Sequence, residues 1–243
     1  VEPNNTIIVT NCFSIKIENL EIKMRIFNRG YYKEFILPPE CNIPEELKLI
    51  LQNVWNRKYD DLYERGGNCS VETAFEDVLK VFGMPEDTIS HRRYVYMAYG
   101  IALGTKSTIK HYFPKESRFE KVQNTVDSWI NKGVQIPEDF ADKLFPDMGE
   151  FGSYQATDEA YNILYALLKT LEPKIAYDAV LDILYDAMTG DAISGFAAAM
   201  RDIFNWWIIE VVPSAYCLKL PPSFYSRDLQ FLPLINYSEA TVG

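Results

Sequence analysis

The stretch DAISGFAAAMRDIFNWWIIEVV, residues 191–212, decides the fold class. Asp191 carries the short carboxylate that caps a helix start, and Pro213 lacks the N–H that a continuing helix needs. Between Ala192 and Met200 there is no charge. Ser194, Gly195 and the run Ala197, Ala198, Ala199 are small enough for neighbouring helices to approach closely. Phe196, Ile203, Phe204, Trp206, Trp207, Ile208 and Ile209 are large. A helix apolar on nearly all sides is a buried one. Arg201 and Asp202 at its middle argue against a membrane span. The stretch predicts a sizeable helical core.

Upstream, Pro173 opens a helix reaching about Met188, and Thr189-Gly190 leads into the Trp-rich helix. Thr157 is a cap for the helix before it, with Asp158 and Glu159 in its first turn and an end near Leu171. A connector with two glycines, residues 146–153, divides this half from an earlier one. There Pro44 opens a helix running to about Glu64, closed by Gly66-Gly67. Ser70 caps a helix to Phe82, ended by Gly83. Thr88 or Ser90 starts a long helix to Tyr112, closed by Pro114. Residues 116–131 form the return arm of a hairpin, and residues 138–144 a short helix.

Only residues 6–37 read as strands. Phe13, Ile15 and Ile17 alternate with polar residues, and Leu20, Ile22, Met24 and Ile26 alternate in the opposite phase. The expected architecture is mainly α: an irregular antiparallel helical array with a small N-terminal antiparallel β-meander. It is one domain of 243 residues, with the meander in 1–39, a first helical half in 40–145, and a second half with an extended C-terminal tail in 154–243.

Composition narrows the function. Net charge is −10 and the pI about 4.8, against a nucleic-acid binder, whose footprint is basic. Cys12, Cys41, Cys69 and Cys217 are scattered without metal-ligand spacing, as expected of reduced thiols in a cytoplasmic protein. No secretory leader or membrane span is read. The phosphate-loop, dinucleotide, GxSxG and HExxH motifs are missing, and no cofactor is expected.

Four features could carry function. Asp178, Asp182 and Asp186 stand at i, i+4 and i+8, so three carboxylates share one stripe flanked by Tyr177 and Tyr185. Like charges at that spacing repel by a few tenths of a kcal/mol per pair. A basic partner would relieve the repulsion; the same stripe would also serve as an ordinary solvated face. Arg201-Asp202 in the apolar helix implies an internal salt-bridge network or the floor of a pocket. His91 and His111 fall at opposite ends of one predicted helix about 30 Å long at 1.5 Å per residue, too far apart to act together. His111 suits a helix C-terminus, and His91-Arg92-Arg93 is expected to pair with surface acids. Asp60-Asp61-Leu62-Tyr63-Glu64 resembles the DDxxE metal motif of class I terpene synthases, which implies Mg²⁺ held against a diphosphate by Asp60, Asp61 and Glu64. The second metal motif of that family is absent from this chain.

Residues 99–133 hold small Ala102 and Gly104, a turn with Pro114 and Arg118, and a closing Trp129. This hairpin resembles the helical immunity proteins of bacterial polymorphic-toxin systems. The resemblance implies a binding protein that neutralises a toxin and has no catalysis of its own. The leading expectation is therefore a soluble, non-enzymatic interaction or regulatory protein, contacting a basic protein partner through Asp178, Asp182, Asp186, Tyr177 and Tyr185. The alternatives are a divalent-metal-dependent helical enzyme using Asp60, Asp61 and Glu64, and a carrier of small apolar ligands lined by Phe204, Trp206 and Trp207.

Overall fold

Ser70 and Asp87 cap two helix starts, and glycines close the ends that follow. The Ser70 hydroxyl accepts from the Glu72 N–H at 3.2 Å and opens a helix that ends at Gly83, with φ +82°. Asp87, not Thr88 or Ser90, caps the next one, accepting from the N–H groups of Ile89 and Ser90 at 3.0 and 2.9 Å. The computed structural model describes residues 32–146, 155–190, 192–193 and 200–225. Its helices are α1 (Glu45–Asn56), α2 (Val71–Phe82), α3 (Thr88–Leu103), α4 (Lys106–Tyr112), α5 (Arg118–Lys132), α6 (Phe140–Leu144), α7 (Gln155–Lys169), α8 (Ala176–Thr189), α9 (Met200–Trp206), α10 (Val212–Tyr216) and α11 (Pro222–Tyr225). A 3₁₀ turn, Pro173–Ile175, leads into α8, and a π turn, Trp207–Val211, joins α9 to α10. The protein is mainly helical, as expected.

The β-meander is not supported. Residues 6–31 lie outside the described residues. Residues 32–37, the last part of the segment expected as strands, are irregular, and the described residues hold a single isolated bridge, Tyr59 to Cys69. Tyr32, Phe35 and Leu37 pack on the helical core instead, with the Phe35 ring 6.0 Å from Trp55. The Tyr32 hydroxyl donates to Glu210 Oε1 at 2.7 Å. The Ser223 N–H donates to the other oxygen of that carboxylate at 3.0 Å. One side chain thus holds both ends of the described chain.

Three helix boundaries differ from expectation for identifiable reasons. α1 stops at Asn56 rather than Glu64, because its last carbonyls are taken by side chains: Val54 by the Tyr59 hydroxyl at 2.8 Å, Trp55 by Arg201. The expected long helix is two. At Gly104 and Thr105 the backbone N–H groups bond three residues back, and the Thr105 hydroxyl takes the Ala102 carbonyl at 2.8 Å. Pro213 does not stop the Trp-rich helix. The Val212 N–H reaches back five residues to Trp207, and the wider turn gives the proline ring room to pass the preceding carbonyls. Thr157 is a buried residue inside α7, not its cap. The extended wrap expected after Pro213 is helical through α10 and again in α11, and residues 226–243 lie outside the description.

Buried residues of both helical halves join one core, with α7 and α8 its most extensive helix pair and α3 packed on both. Trp206 and Trp207 are fully buried. Trp206 Nε1 donates to the Ser223 hydroxyl at 3.0 Å, and the Trp207 ring meets Phe75 edge-on at 5.3 Å. Among the described residues no helix is long and apolar enough to cross a membrane.

His91 is in this core rather than paired with surface acids. Its Nε2 lies 2.8 Å from the Thr170 carbonyl, and its ring stands edge-on to Trp129 at 5.3 Å. Arg93 donates to the Tyr216 carbonyl and lies 3.6 Å over that tyrosine's ring. Burial pushes the His91 imidazole below its usual protonation range, against the opposing pull of the Thr170 carbonyl. The unfolded chain therefore binds this proton at higher pH than the folded one. Stability is full above pH about 6.5 and falls as pH drops through the window down to the folded value. Urea unfolding at pH 7.5 and pH 5 should show wild type losing more stability on acidification than His91→Gln. Equal losses would exclude His91 as the cause.

Candidate functional site

The α8 sequence separates an apolar side from an acidic one. Ala176, Ala179, Val180, Ile183, Leu184, Ala187 and Met188 are buried, and Asp178, Asp182 and Tyr185 are exposed. Residues four apart advance about 400° along a helix, so the stripe drifts about 40° per step. Asp186, at its end, is thereby turned half into the molecule against α7. A cavity of about 350 Å³ opens there, lined by Asn162, Tyr165 and Ala166 of α7 and by Asp182, Tyr185 and Asp186 of α8.

A fourth carboxylate reaches the same place. A side chain at Gly190 would begin 2.5 Å from Glu159 Oε2 and 2.6 Å from the Asp186 carbonyl, so the glycine lets Glu159 approach the end of α8. Burial, then Glu159 and Asp182, push the Asp186 carboxyl up to about 6. Burial and Asp178 push Asp182 upward as well. A lysine beside the cavity wall is engaged elsewhere. Lys169 lies over the Tyr165 ring at 5.0 Å and is held by Asp142 at 3.1 Å, which also accepts from the Tyr165 hydroxyl at 2.7 Å. Asp178, Asp182 and Asp186 have no hydrogen bond or ion pair with any described residue.

The raised Asp186 value carries a stability consequence. Between pH about 4 and 6 the folded state holds a proton that the unfolded chain has released, so the favourable contribution is lost as pH rises through 6. Asp186→Asn should stabilise the protein at pH 7 by about 1 kcal/mol, a value reduced for solvent screening of a half-exposed group, and be neutral below pH about 4. Thermal melts at pH 7 and pH 3.5 read this directly. A destabilised variant at pH 7 would mean that the ionised carboxylate is compensated.

The tyrosines of the stripe part company. Tyr185 is 59 % exposed beside Asp182. Tyr177 faces the core edge, 6.1 Å from Tyr94. The α7 wall, Asn162 and Tyr165, was not foreseen. Its only sequence signal is that Glu159, Asn162 and Ala166 share one helix face.

The other candidates are occupied by packing. Asp60, Asp61 and Glu64 lie in a loop, not on a helix. Asp61 accepts from the Val71 N–H at 2.8 Å, Glu64 from the Tyr59 N–H at 2.7 Å and from Arg201 at 3.2 Å, and Asp60 is exposed. Among the described residues no group of three or more His, Cys, Asp or Glu has the geometry to hold a metal ion. Arg201 belongs to a structural network: it donates to the carbonyls of Trp55 and Arg57 as well as to Glu64, and lies within 6 Å of the Trp55, Tyr59 and Phe204 rings. Phe204, Trp206 and Trp207 pack on Tyr59, Phe75 and Ser223. Comparison with protein-family models, with curated proteins and with solved structures returned no match to this chain.

Proposed function

We propose that this is a soluble, non-enzymatic interaction protein that holds a cationic segment of a protein partner against the acidic cleft between α7 and α8. The observation that carries this reading is the stripe itself: three aspartates, one half-buried, with no ion pair among the described residues and Lys169 held by Asp142. A guanidinium or ammonium group entering the cleft would neutralise Asp182 and Asp186 while its stem lies between Tyr165 and Tyr185. The resemblance of residues 99–133 to immunity proteins favours a toxin partner met in the cytoplasm. The test is fluorescence anisotropy with a labelled Arg- and Lys-rich peptide at low and high salt. Binding should weaken with salt and be lost when Asp178, Asp182 and Asp186 are all changed to Asn with the fold intact. Unchanged binding by that variant would end the proposal.

A further inference from the structure

Residues 40–42 and the end of α10 are laced together by three contacts, and thiols make two of them. Lys219 Nζ donates to the Glu40 carbonyl at 2.9 Å, Cys217 Sγ donates to the Asn42 carbonyl at 3.7 Å, and Cys41 Sγ lies 3.8 Å from the Ser214 hydroxyl. Ser214 and Cys217 are three residues apart at a helix end, so they share one side of it. Cys41 directly precedes Asn42. Each thiol thus touches the immediate neighbourhood of the other. Burial pushes the Cys41 thiol up, the Ser214 hydroxyl opposes this, and the Cys217 thiol raises it more than the adjacent Glu40 carboxyl does. Electrostatic influence falls with distance, so the two sulfurs are neighbours in space. The backbone holds Cys217 in place. Leu218 sits at φ +56°, a region that bulky residues rarely adopt, and the Lys219 N–H reaches back to the Ser214 carbonyl at 2.9 Å. Arg93 fastens the residue before it, donating to the Tyr216 carbonyl at 3.0 Å.

The two thiols differ in access: Cys217 is half-buried and Cys41 is buried. We propose that Cys217 and Cys41 are a peroxide-responsive pair, in which Cys217 meets the oxidant and Cys41 resolves it into a disulfide. Cys217 releases its proton, and its sulfur attacks one oxygen of hydrogen peroxide. The O–O bond breaks, the departing hydroxide takes up the proton as water, and the sulfur is left as a sulfenic acid. The Cys41 sulfur then attacks the Cys217 sulfur and gives up its own proton. The S–OH bond breaks and a second water leaves. Two thiols and one peroxide become one disulfide and two waters, with both sulfurs oxidised and the peroxide oxygens reduced. A disulfide requires α-carbons about 4.4–6.8 Å apart, and the contacts from Glu40–Lys219 to Asn42–Cys217 set the two backbones side by side. The bond forms beside a groove of about 540 Å³, walled by Ile36, Leu37 and Pro38 on one side and by Ile209 and Pro222 on the other. In the reduced protein, hydrogen bonds from Tyr32 to Glu210 and from Lys219 to Glu40 join these walls. In the oxidised protein a covalent bond does so as well, and oxidation sets how far the groove can open.

The test is peroxide treatment of the full chain, as wild type and with Cys12→Ser and Cys69→Ser, which remove the other two thiols. Digestion of either treated protein should yield one peptide joining Cys41 to Cys217. The double variant should become lighter by two hydrogen atoms and lose both of its iodoacetamide-reactive thiols, and dithiothreitol should reverse both changes. Amide hydrogen exchange across residues 32–42 should slow at least about tenfold in the oxidised form. Adding Cys41→Ser should stop the reaction at a Cys217 sulfenic acid, which dimedone traps. Adding Cys217→Ser, a change at a half-buried position, should leave Cys41 a thiol. Thiols that stay alkylatable after peroxide, a bond between two chains, or Cys41 oxidised as readily without Cys217 would overturn the pair. A disulfide that leaves exchange in residues 32–42 unchanged would overturn its locking role.

Discussion

Replacing Arg201 by methionine should lower the unfolding free energy by about 3 kcal/mol. Removing one member of a buried ion pair typically costs about 3–5 kcal/mol, and this pair is only partly buried, with side-chain exposures of 23 % and 25 %. Methionine keeps the apolar stem, so the loss isolates the head group. That head group serves the Trp55 and Arg57 carbonyls and Glu64 together, and touches the Trp55, Tyr59 and Phe204 rings. Lysine should not rescue it, because one ammonium cannot present a planar fork to three acceptors while lying over aromatic faces. Urea unfolding of Arg201→Met, Arg201→Lys, Glu64→Gln and the double variant Arg201→Met/Glu64→Gln checks this. A loss below about 1 kcal/mol for Arg201→Met would show that water replaces the network without penalty.

Phe204→Ala should be at least as damaging, by about 4 kcal/mol, while Trp207→Phe three residues away stays within about 1 kcal/mol of wild type. Phe204 is fully buried, with ring centroids 4.7 Å from Tyr59, 5.5 Å from Trp207 and 6.5 Å from Phe75. Truncation leaves a void bounded by other rings and removes one face of the Arg201 enclosure. Trp207 is as deeply buried, but its Nε1 has no hydrogen-bond partner among the described residues. Phenylalanine there loses ring volume and removes an unsatisfied donor, and the two effects oppose each other. Chemical denaturation of both variants decides the matter; the reverse order of stabilities would refute the account of this core.

The α2 boundaries were legible in the sequence because their causes are local: a serine hydroxyl and a glycine with positive φ act within three residues. The ends of α1 and α3 were not, because Arg201 acts on α1 from 146 residues away in sequence and the break after α3 uses a threonine hydroxyl that equally suits a helix interior. The aspartate stripe was visible as spacing. That Lys169 is held by Asp142 and not by the stripe depends on α6, α7 and α8 meeting in space. The DDxxE-like run was visible too, but a spacing pattern does not say whether carboxylates face one ion or several backbone N–H groups. Residues 32–37 fell at the end of a meander read from alternation upstream, but alternation describes two faces and does not supply a neighbouring strand.

The Glu210 carboxylate, which receives Tyr32 from one end of the described chain and Ser223 from the other, fixes how this fold meets mechanical load. Handles attached at positions 32 and 225 pull at neighbouring points. Tension then reaches the two hydrogen bonds to Glu210 first and afterwards strips the end segments from the helices one contact at a time. A fold gripped at opposite poles shears many contacts at once; loaded at these two positions, this one opens like a zip, from the carboxylate where the two segments meet.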